Sequence, residues 1–478
     1  MNPPSAVEPL PWQRISSARL LAVLFAAEFT AAFELTMVYS GIKTFIAVFK
    51  DPVGVGWLVT SYLLVAGGAT ALCGRLGDLF GRRRLLLIML ALAASGSFFS
   101  AFSSQLPFVI AGRAVQGFAG AILPLCYGLV RENLPPEKVP FGTGILAGSA
   151  IFAAMAGLVV GGFVIDHFPW HTIFLVSGGM AILSLVLSAA LLPPSRPSNR
   201  DGPLDLLGGL LFVPAILLLL IGISHGNDWG WLSAPILCLL GGGVALLAIW
   251  IAHELRIPDP LIDVRLFASR NVVLANVAMC AYALAPQQGQ LAFLLFQQSP
   301  STGVGVGLSA TTAGLLAVPA QLLAVLAAPF VAKSCARHGS RPILRVAGIL
   351  FLAQMGVLLL IVFQPKTAFV LLGLTIAALA SILLLASAPN VVIAQAPSDR
   401  TSEATGMMQV LRSIMQAVGA QLIAATLATS TMLDPATGAG PFPTREAFIL
   451  TIALLIPVSA GTLLAGLLLR LDRKPEQP

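Results

Sequence analysis

Residues 74–84 read GRLGDLFGRRR and separate two long apolar segments. Glycines at 77 and 81 permit tight turns and close backbone approach. The carboxylate of Asp78 can accept hydrogen bonds from a helix N-terminus or from an arginine, which makes a contact that can be broken. The alternative is a basic loop that only sets orientation. We predict a conformational latch formed by Gly74, Arg75, Gly77, Asp78, Gly81, Arg82 and Arg83.

The composition around this stretch is that of a membrane protein. Of 478 residues, 57% are hydrophobic and 10% are charged, and the mean hydropathy is +0.91. A soluble globular chain carries about 25% charged residues, so this chain cannot form an ordinary wet surface. The apolar runs are continuous and long, which excludes a transmembrane β-barrel with its alternating strands. We expect an all-α polytopic membrane protein.

Fourteen apolar segments are long enough to cross a bilayer at roughly 20 residues each. They lie near 19–41, 55–74, 85–103, 106–130, 142–165, 171–192, 205–223, 233–252, 272–298, 309–332, 343–363, 367–391, 403–429 and 447–469. The polar connections 193–203 and 253–271 divide them as 6 + 2 + 6. We expect an N-terminal six-helix bundle at 1–192, a linker with two extra transmembrane helices and an interfacial loop at 193–271, and a C-terminal six-helix bundle at 272–478.

Lysine and arginine are unevenly divided between the two sides of this arrangement. One side receives only Lys43, Lys50, Lys366 and Arg445, and the other receives about 21 of the 27 basic residues. Basic loops remain in the cytoplasm, so both termini are predicted to be cytoplasmic, in a multi-pass protein of a bacterial-type inner membrane. The net charge of +7 therefore reflects orientation, and we expect contact with the lipid bilayer and no nucleic-acid partner.

Motifs for metal, cofactor or nucleotide chemistry are missing. The five cysteines are scattered without disulfide or metal spacing, and the five histidines lie at segment ends or in loops. The sequence contains no G-x-x-x-x-G-K-S/T phosphate loop, which argues against ATP-driven transport within this chain. We therefore expect no metal, no organic cofactor and no enzymatic activity.

An internal repeat indicates two related halves. Residues 332–342 read AKSCARHGSRP, so that Gly339 and Arg341 correspond to Gly81 and Arg83. Each copy follows one apolar segment and precedes the next. Such repeats are typical of secondary transporters.

The stretch GRLGDLFGRRR resembles the signature between the second and third helices of the major facilitator superfamily. The 6 + 2 + 6 layout is similar to its fourteen-helix drug:proton antiporter branch, which includes multidrug efflux proteins. The resemblance implies a major facilitator fold with 14 transmembrane helices, in which two bundles rock about a central site. Further matching residues are Glu34–Val38, which resemble a first-helix motif that usually begins with Asp, Arg113–Gly117, which resemble R-x-x-Q-G, and Leu411, Arg412, Gln416 and Gly419 in the thirteenth helix.

The fifth segment departs from the family pattern. The antiporter mark G-x-x-x-G-P-x-x-G-G corresponds here to residues 156–162, AGLVVGG, with Leu158 in place of the proline. The missing proline leaves antiport and symport both open. The glycines expected to permit close helix packing are Gly148, Gly157, Gly161 and Gly162.

Four ionisable residues lie inside the apolar segments: Glu28, Glu34, Arg113 and Arg412. An unpaired charge at mid-bilayer costs on the order of 3 kcal/mol, so each is a functional candidate. Six residues correspond to about 240° around a helix, so the two glutamates are not expected to form a dyad. Glu34 is the predicted proton-coupling carboxylate, and Arg113 is its cation if the first and fourth helices adjoin. A static ion pair is the alternative.

Glu28 is either a second proton or substrate site or a structural hydrogen-bonding group. Amide side chains are concentrated in the ninth segment after Pro286, whose ring interrupts the backbone hydrogen bonds. Amides in a cavity would bind a polar substrate, whereas amides between helices would only join them. The expected substrate-binding residues are Glu28, Glu34, Gln116, Gln287, Gln288, Gln290, Arg412 and Gln416.

These features predict a proton-coupled secondary transporter that exports small amphipathic or hydrophobic compounds by alternating access. A selective porter for one metabolite or lipid and a non-transporting scaffold or sensor are the alternatives. The proton is the expected coupling ion and a monomer the expected state. In a Gram-negative source, a periplasmic adaptor would extend the export path.

Overall fold

The computed structural model describes residues 16–195, 205–257, 265, 269–300, 304–395, 401–433 and 440–469. The first helices are α1 (Ser17–Ser40), α2 (Ile42–Phe49), α3 (Pro52–Phe80), α4 (Arg82–Ala101), α5 (Leu106–Gln116), α6 (Ile122–Asn133), α7 (Val139–His167) and α8 (Thr172–Leu191). The next are α9 (Leu206–Trp229), α10 (Ala234–Glu254), α11 (Arg270–Leu284), α12 (Pro286–Gln298), α13 (Ala310–His338), α14 (Ser340–Phe363), α15 (Thr367–Gln395), α16 (Thr401–Leu427) and α17 (Arg445–Leu468). A 3-10 turn (Gly117–Ala121) joins α5 to α6, and a short antiparallel ribbon of β1 (Thr431–Met432) and β2 (Phe442–Pro443) precedes α17.

Thirteen helices of the described residues are long and apolar enough to cross a membrane, with α5 and α6 counted together. The ninth predicted segment differs, because it folds as two shorter helices that meet at Ala285 and Pro286. Proline has no N–H to donate and its ring clashes with the preceding turn, so α11 ends there. With this broken helix, the helices follow the order of the fourteen predicted segments. The fold is all-α and multi-pass.

Local sequence explains where the helices begin. Asp51 caps α3 by accepting a hydrogen bond from the Gly54 N–H (2.8 Å), and Pro52 occupies the first turn. Asp205 caps α9 in the same way through the Gly208 N–H (2.8 Å). Side-chain caps satisfy amide groups that the first turn of a helix leaves unpaired. Pro at the first turn is tolerated because its missing N–H would be unpaired anyway.

The internal repeat has a structural counterpart in the backbone. Gly81 ends α3 with φ +91°, and Gly339 ends α13 with φ +80°. Side chains with a Cβ rarely adopt this conformation, so glycine permits an immediate turn into α4 and α14. The two related stretches therefore bend at the same position.

Close packing in α7 depends on some of the predicted glycines. A Cβ on Gly157 or Gly161 would overlap with α1, where Met37 Cα would lie 2.9 Å from the Gly161 Cβ. A Cβ on Gly162 would overlap with the start of α13 at Ala310. At Gly148 a Cβ would meet no atom of the described residues within 4 Å, so a close helix contact that needs glycine is not found at this predicted position.

Helices α7 and α13 approach each other closely only near the end of α7. There a Cβ on Gly314 would lie 2.6 Å from the carbonyl oxygen of Leu158. Gly144 lies eighteen residues before Gly162, which is five turns of a helix and therefore the same face. No atom of a described residue lies within 4 Å of a Cβ at Gly144, so α13 does not pack closely on α7 at this position. The two helices diverge towards the beginning of α7 and the end of α13.

We call the end of the helix array that carries residues 17 and 468 the terminal end, and the other the loop end. Helix α3 of the N-terminal half packs antiparallel against helix α16 of the C-terminal half. Gly56 of α3 lies against Ala424 near the loop end, and Gly67 lies against Ser413 further towards the terminal end. Helix α7 begins and helix α13 ends at the terminal end, so the gap between these two helices widens in that direction.

Candidate coupling and substrate sites

Glu34 lies in the centre of the N-terminal half and is completely buried. The Ser97 hydroxyl of α4 donates to its carboxylate oxygen Oε1 at 3.3 Å, while Oε2 has no hydrogen-bond partner. A buried carboxylate with incomplete hydrogen bonding is costly when it is charged. The position is therefore suited to a group whose charge changes during a cycle.

Arg113 lies at the end of α5 and is also completely buried. Its Nε donates to the carbonyl oxygen of Leu58 (2.8 Å), and its Nη1 donates to Oε1 of Gln116 (2.9 Å). The guanidinium carbon lies 4.5 Å from the centroid of the Tyr62 ring, a cation–π arrangement. Nη2 has no hydrogen-bond partner among the described residues, which leaves one donor group available.

The expected direct contact between Arg113 and Glu34 is replaced by a chain of side chains. Both residues are described, and no nitrogen of Arg113 lies within 4.0 Å of a Glu34 oxygen. Instead the Gln116 amide nitrogen donates to the Ser97 hydroxyl, which donates to Glu34. We call Glu34, Ser97, Gln116 and Arg113 the coupling chain. Sequence reasoning missed Ser97, since a hydroxyl in an apolar helix is ordinarily bonded to its own backbone.

Two glycines allow this arrangement. A Cβ on Gly96 would lie 2.5 Å from the carbonyl oxygen of Gly112 and 2.7 Å from the backbone nitrogen of Gln116. Without side chains at these positions, α4 and α5 approach closely enough for Ser97 and Gln116 to form a hydrogen bond. Small residues at helix contacts have this effect in membrane proteins generally.

Glu28 lies six residues, about one and two-thirds turns, before Glu34 and is 4% exposed. Its Oε2 is buried, and no described residue forms a hydrogen bond with it. It lies close enough to Tyr62, Cys126 and Tyr127 to interact with them electrostatically. Tyr62 interacts with both glutamates, whereas Ser97 donates a hydrogen bond to Glu34.

A second polar group joins the two halves of the chain. The Tyr39 hydroxyl of α1 donates to Oε1 of Gln288 in α12 at 3.4 Å. Next to it, Arg412 of α16 donates from Nε to Oε1 of Gln287 and from Nη1 to Oε1 of Gln409, both at 3.4 Å. Gln290 and Gln416 make no side-chain hydrogen bond to any described residue. We call Tyr39, Gln287, Gln288, Gln290, Gln409, Arg412 and Gln416 the interhalf cluster.

The loop end is closed by contacts that the sequence did not indicate. Asp166 at the end of α7 accepts hydrogen bonds from the backbone N–H groups of Ala310 (3.1 Å) and Thr311 (2.8 Å) at the start of α13. The Thr311 hydroxyl also donates to Asp166 at 2.6 Å. The Gln298 amide donates to the carbonyl oxygen of Ser40 at 3.1 Å. Since α13 begins there, its N-terminal amide groups supply favourable donors to a carboxylate.

The predicted latch is described in part. A Cβ on Gly77 would lie 3.1 Å from a Leu125 side-chain carbon, and Arg82 lies 3.7 Å from the Glu132 carboxylate of α6. Arg83 donates to the carbonyl oxygen of Ala189 at 2.6 Å. The surroundings of Gly74 and the side chains of Arg75 and Asp78 lie outside the described residues. The described basic residues of this stretch therefore bind neighbouring helices of the same half.

The comparisons with known proteins agree with this fold. The family description "Major Facilitator Superfamily" matches residues 24–420. A multidrug resistance protein B homolog of Mycobacterium tuberculosis is 29% identical over 342 residues, which are 71% of this chain and 62% of that protein. The multidrug resistance protein Stp of the same species is 29% identical over 388 residues, 80% of this chain and 71% of Stp. The probable multidrug resistance protein EmrY of Escherichia coli is 30% identical over 280 residues, 58% of this chain and 54% of EmrY.

The chain thus spans less than two thirds of the length of some of these relatives. Among solved structures, the peptide transporter POT in complex with sulfate has a TM-score of 0.68 at 16% identity, with 94% of this chain and 93% of that chain covered. An auto-inhibited POT family peptide transporter has a TM-score of 0.65 at 14% identity, with 96% and 99% covered. These structures share the fold. From the family match and from the helical architecture, we conclude that the chain is a multi-pass membrane protein of the major facilitator superfamily.

Proposed function

We propose that the protein is a proton-coupled antiporter that exports small amphipathic or hydrophobic compounds by alternating access. The observation that carries this proposal is the coupling chain, in which a buried carboxylate and a buried guanidinium are joined through two polar side chains. The multidrug resistance names of the relatives support the same substrate class. The proton is the coupling ion in this proposal, and no organic cofactor is needed.

Protonation of Glu34 would change the balance of charge along this chain. In the ionised state, the negative charge of Glu34 is compensated through Ser97 and Gln116 by the positive charge of Arg113. After protonation, Arg113 retains its charge and its free Nη2 donor, while Glu34 becomes neutral and no longer attracts the chain. The free energy of moving α1 relative to α4 and α5 therefore differs between ionised and protonated Glu34. Coupling requires such a difference.

The conformation described above fits the loading step of export. Hydrogen bonds from α13 to Asp166 close the loop end, while α7 and α13 diverge towards the terminal end. We place the terminal end in the cytoplasm, because the basic residues of the loops concentrate there, and we place the protein in a bacterial-type inner membrane. Both termini are then cytoplasmic. A compound would enter from the cytoplasm and leave after the loop-end contacts open.

The energy of one proton is sufficient for this cycle. A proton that crosses ~100 mV releases about 2.3 kcal/mol, and each pH unit adds about 1.4 kcal/mol. Voltage alone therefore sustains roughly a fifty-fold gradient of a neutral substrate per proton. We propose that the protein works as a monomer in the lipid bilayer, with a periplasmic adaptor as a further partner in a Gram-negative source.

Reconstitution into liposomes that contain a pH-sensitive dye tests this proposal. With a proton gradient imposed, addition of an amphipathic substrate should dissipate the gradient, and Glu34→Gln should abolish this flux while binding is retained. Glu446→Gln is the matched control, since Glu446 is an exposed acid at the start of α17. Substrate-dependent flux that persists in Glu34→Gln would contradict the assignment of the proton site.

The direction of flux distinguishes the remaining alternatives. Because Leu158 replaces the family proline in α7, symport is the second candidate. In symport, substrate and proton move the same way, so a substrate gradient would drive acidification on the opposite side of the membrane from that seen in antiport. Strict dependence on a single compound would identify a selective porter. Failure of any labelled compound to exchange would identify a non-transporting protein.

A further inference from the structure

We propose that the transported compound carries an acidic group, such as a carboxylate or phenolate, and that Arg412 binds it in the interhalf cluster. This inference rests on the proposed function and specifies the substrate class of that transporter. Arg412 lies in the membrane-spanning part of α16, where a cation is retained only if something compensates its charge. No described residue supplies such a charge within 4.0 Å of its guanidinium.

The guanidinium of Arg412 has only neutral partners. Its hydrogen bonds reach the amide oxygens of Gln287 and Gln409, both at 3.4 Å, which is long for such bonds. No carboxylate of a described residue lies within 4.0 Å of it. Arg113 differs, because the coupling chain joins it to Glu34. An anion brought by the substrate would form the shorter charge-assisted bonds that Arg412 lacks.

The cluster lies where a substrate of this fold would have to pass. The hydrogen bond between Tyr39 and Gln288 joins the two halves, and Arg412 lies close enough to Tyr39 to interact electrostatically. Ser413, the neighbour of Arg412 in the chain, lies against Gly67 of α3 in the other half. Gln287 and Arg412 are both partly exposed at this position between the halves. A bound compound would therefore contact both halves at once.

Further groups of the cluster complete a site for an oxyanion. Gln409 and Gln416 lie three residues before and four residues after Arg412, on the same face of α16. Gln290 and Gln416 have amide N–H groups without a partner among the described residues, so each can donate to a second oxygen.

The same geometry disfavours cations. Tyr39 lies near Arg412, so a ligand beside it meets a guanidinium group that has only neutral hydrogen-bond partners. An anion is attracted by this group, whereas a lipophilic cation is repelled by it. Export of a monovalent anion against entry of one proton moves two positive charges inward. Transport of the acid should therefore depend on membrane voltage, whereas exchange of a monovalent cation for a proton should not.

Three probes with one hydrophobic group test this inference. They are 2-naphthoate, 2-naphthylmethylamine and 2-naphthalenemethanol, which are anionic, cationic and neutral at pH 7. Binding to the purified full-length protein is measured by displacement of a labelled probe, and transport is measured in the liposomes described above. The variants are Arg412→Gln and Arg412→Lys. Arg256→Gln is the control, because Arg256 is exposed outside the membrane-spanning helices.

We expect naphthoate to bind most tightly to the wild type and to lose about tenfold or more in affinity in Arg412→Gln. Naphthalenemethanol should change by less than threefold, and Arg412→Lys should retain the preference for the acid. If Arg412→Gln does not fold, the wild type and Arg412→Lys still rank the three probes. Tightest binding of the amine, or equal loss of all three probes in Arg412→Gln, would overturn the inference. Proton-coupled transport of the amine alone would overturn it while the proposed function remains, and absence of proton coupling with every probe would overturn the proposed function instead.

Discussion

Ser97 is the residue on which the coupling between Glu34 and Arg113 depends, although it carries no charge. It accepts from the Gln116 amide, and its single hydroxyl hydrogen is shared between Glu34 (3.3 Å) and the carbonyl oxygen of Ala93 (2.9 Å). A methyl group in its place would leave the Gln116 donor and one Glu34 oxygen without partners. Each buried polar group left unpaired costs about 1–3 kcal/mol.

We therefore expect Ser97→Ala to reduce substrate-driven proton flux at least tenfold and to lower thermal stability. The reason is that the charge of Arg113 would no longer reach Glu34 through hydrogen bonds. Ser95→Ala is the matched control, since Ser95 is exposed and its hydroxyl bonds to Leu92 of its own helix. Proton flux in liposomes and melting followed by fluorescence measure the two effects. Equal behaviour of the two variants would show that the chain has no part in coupling.

The residues of the coupling chain were predictable to different degrees. Glu34 and Arg113 were identified because a charge in an apolar helix is expensive, and Gln116 followed from its motif. Ser97 gave no comparable signal, because serine is compatible with an apolar helix when it bonds to its own backbone. The sequence also predicted a direct ion pair between Glu34 and Arg113. The structure does not have it, because the guanidinium donates to the carbonyl oxygen of Leu58 and lies over the Tyr62 ring.

At the scale of helices, glycine spacing determines how closely α7 approaches its neighbours. Gly157→Ala should destabilise the protein by about 1–3 kcal/mol, because its Cβ would overlap with Thr36 and lie 2.8 Å from the carbonyl oxygen of Phe33. Gly148→Ala, in the same helix, should leave stability unchanged or raise it slightly, since nothing lies within 4 Å. Thermal melting of the two purified variants checks the difference. A larger loss in Gly148→Ala would contradict the packing described here.

The contact between Asp166 and the start of α13 should control opening at the loop end. Asp166→Asn removes the charge that three hydrogen bonds and the helix N-terminus favour. We expect the population with an open loop end to rise about tenfold, as measured by the distance between spin labels on α7 and α13. Asp228→Asn is the control, because Asp228 is exposed and contacts only His225 among the described residues. An unchanged distance distribution would show that the contact is not limiting.

The added helix pair contains a contact that depends on pH. Partial burial acts to raise the pKa of the Asp205 carboxyl, but hydrogen bonds from His253 (3.0 Å) and the Gly208 N–H outweigh it and lower that pKa below its ordinary value. Because the pKa is lower in the folded protein than in the unfolded chain, ionised Asp205 stabilises the fold at higher pH. This stabilisation is lost as the pH falls through the pKa of the folded state. Hydrogen exchange at the start of α9 should therefore accelerate below about pH 4. Asp205→Asn should remove this acid dependence, and its persistence would contradict the assignment.

The ninth segment illustrates what sequence could and could not supply at this scale. Pro286 predicted an interrupted backbone, and the structure has two helices there. The amide-rich residues after it were expected in a cavity or between helices, and the structure places Gln288 in contact with Tyr39 of the other half. That contact depends on the packing of α1 against α12, which no local pattern encodes.

For the whole molecule, the charge asymmetry predicts orientation. In cells that carry Cys238→Ser to remove the exposed native thiol, Lys366→Cys should react with an impermeant maleimide added outside. Arg256→Cys should react only after permeabilisation, because it lies on the basic side. The opposite pattern would place both termini outside the cytoplasm and would reverse the proposed direction of transport.

The order and type of the transmembrane elements followed from hydropathy and from the family resemblance. Contacts such as those of Asp166 with Ala310 and of Arg82 with Glu132 did not, because they join residues far apart in sequence that become neighbours only after packing. The predicted bundle boundaries at 192 and 271 and the roles of the site residues remain predictions.

Gly81 and Gly339 turn the chain at corresponding positions with a positive φ, yet the residues four positions after the start of the two repeats differ: Asp78 in one and Ala336 in the other. Both corners keep the glycine turn and basic side chains, but only residues 74–84 contain an acidic residue, and residues 332–342 contain none. A contact that needs a carboxylate at this corner can therefore form in the N-terminal half and has no equivalent in the other. The two halves share a backbone turn and differ in the electrostatics that surround it.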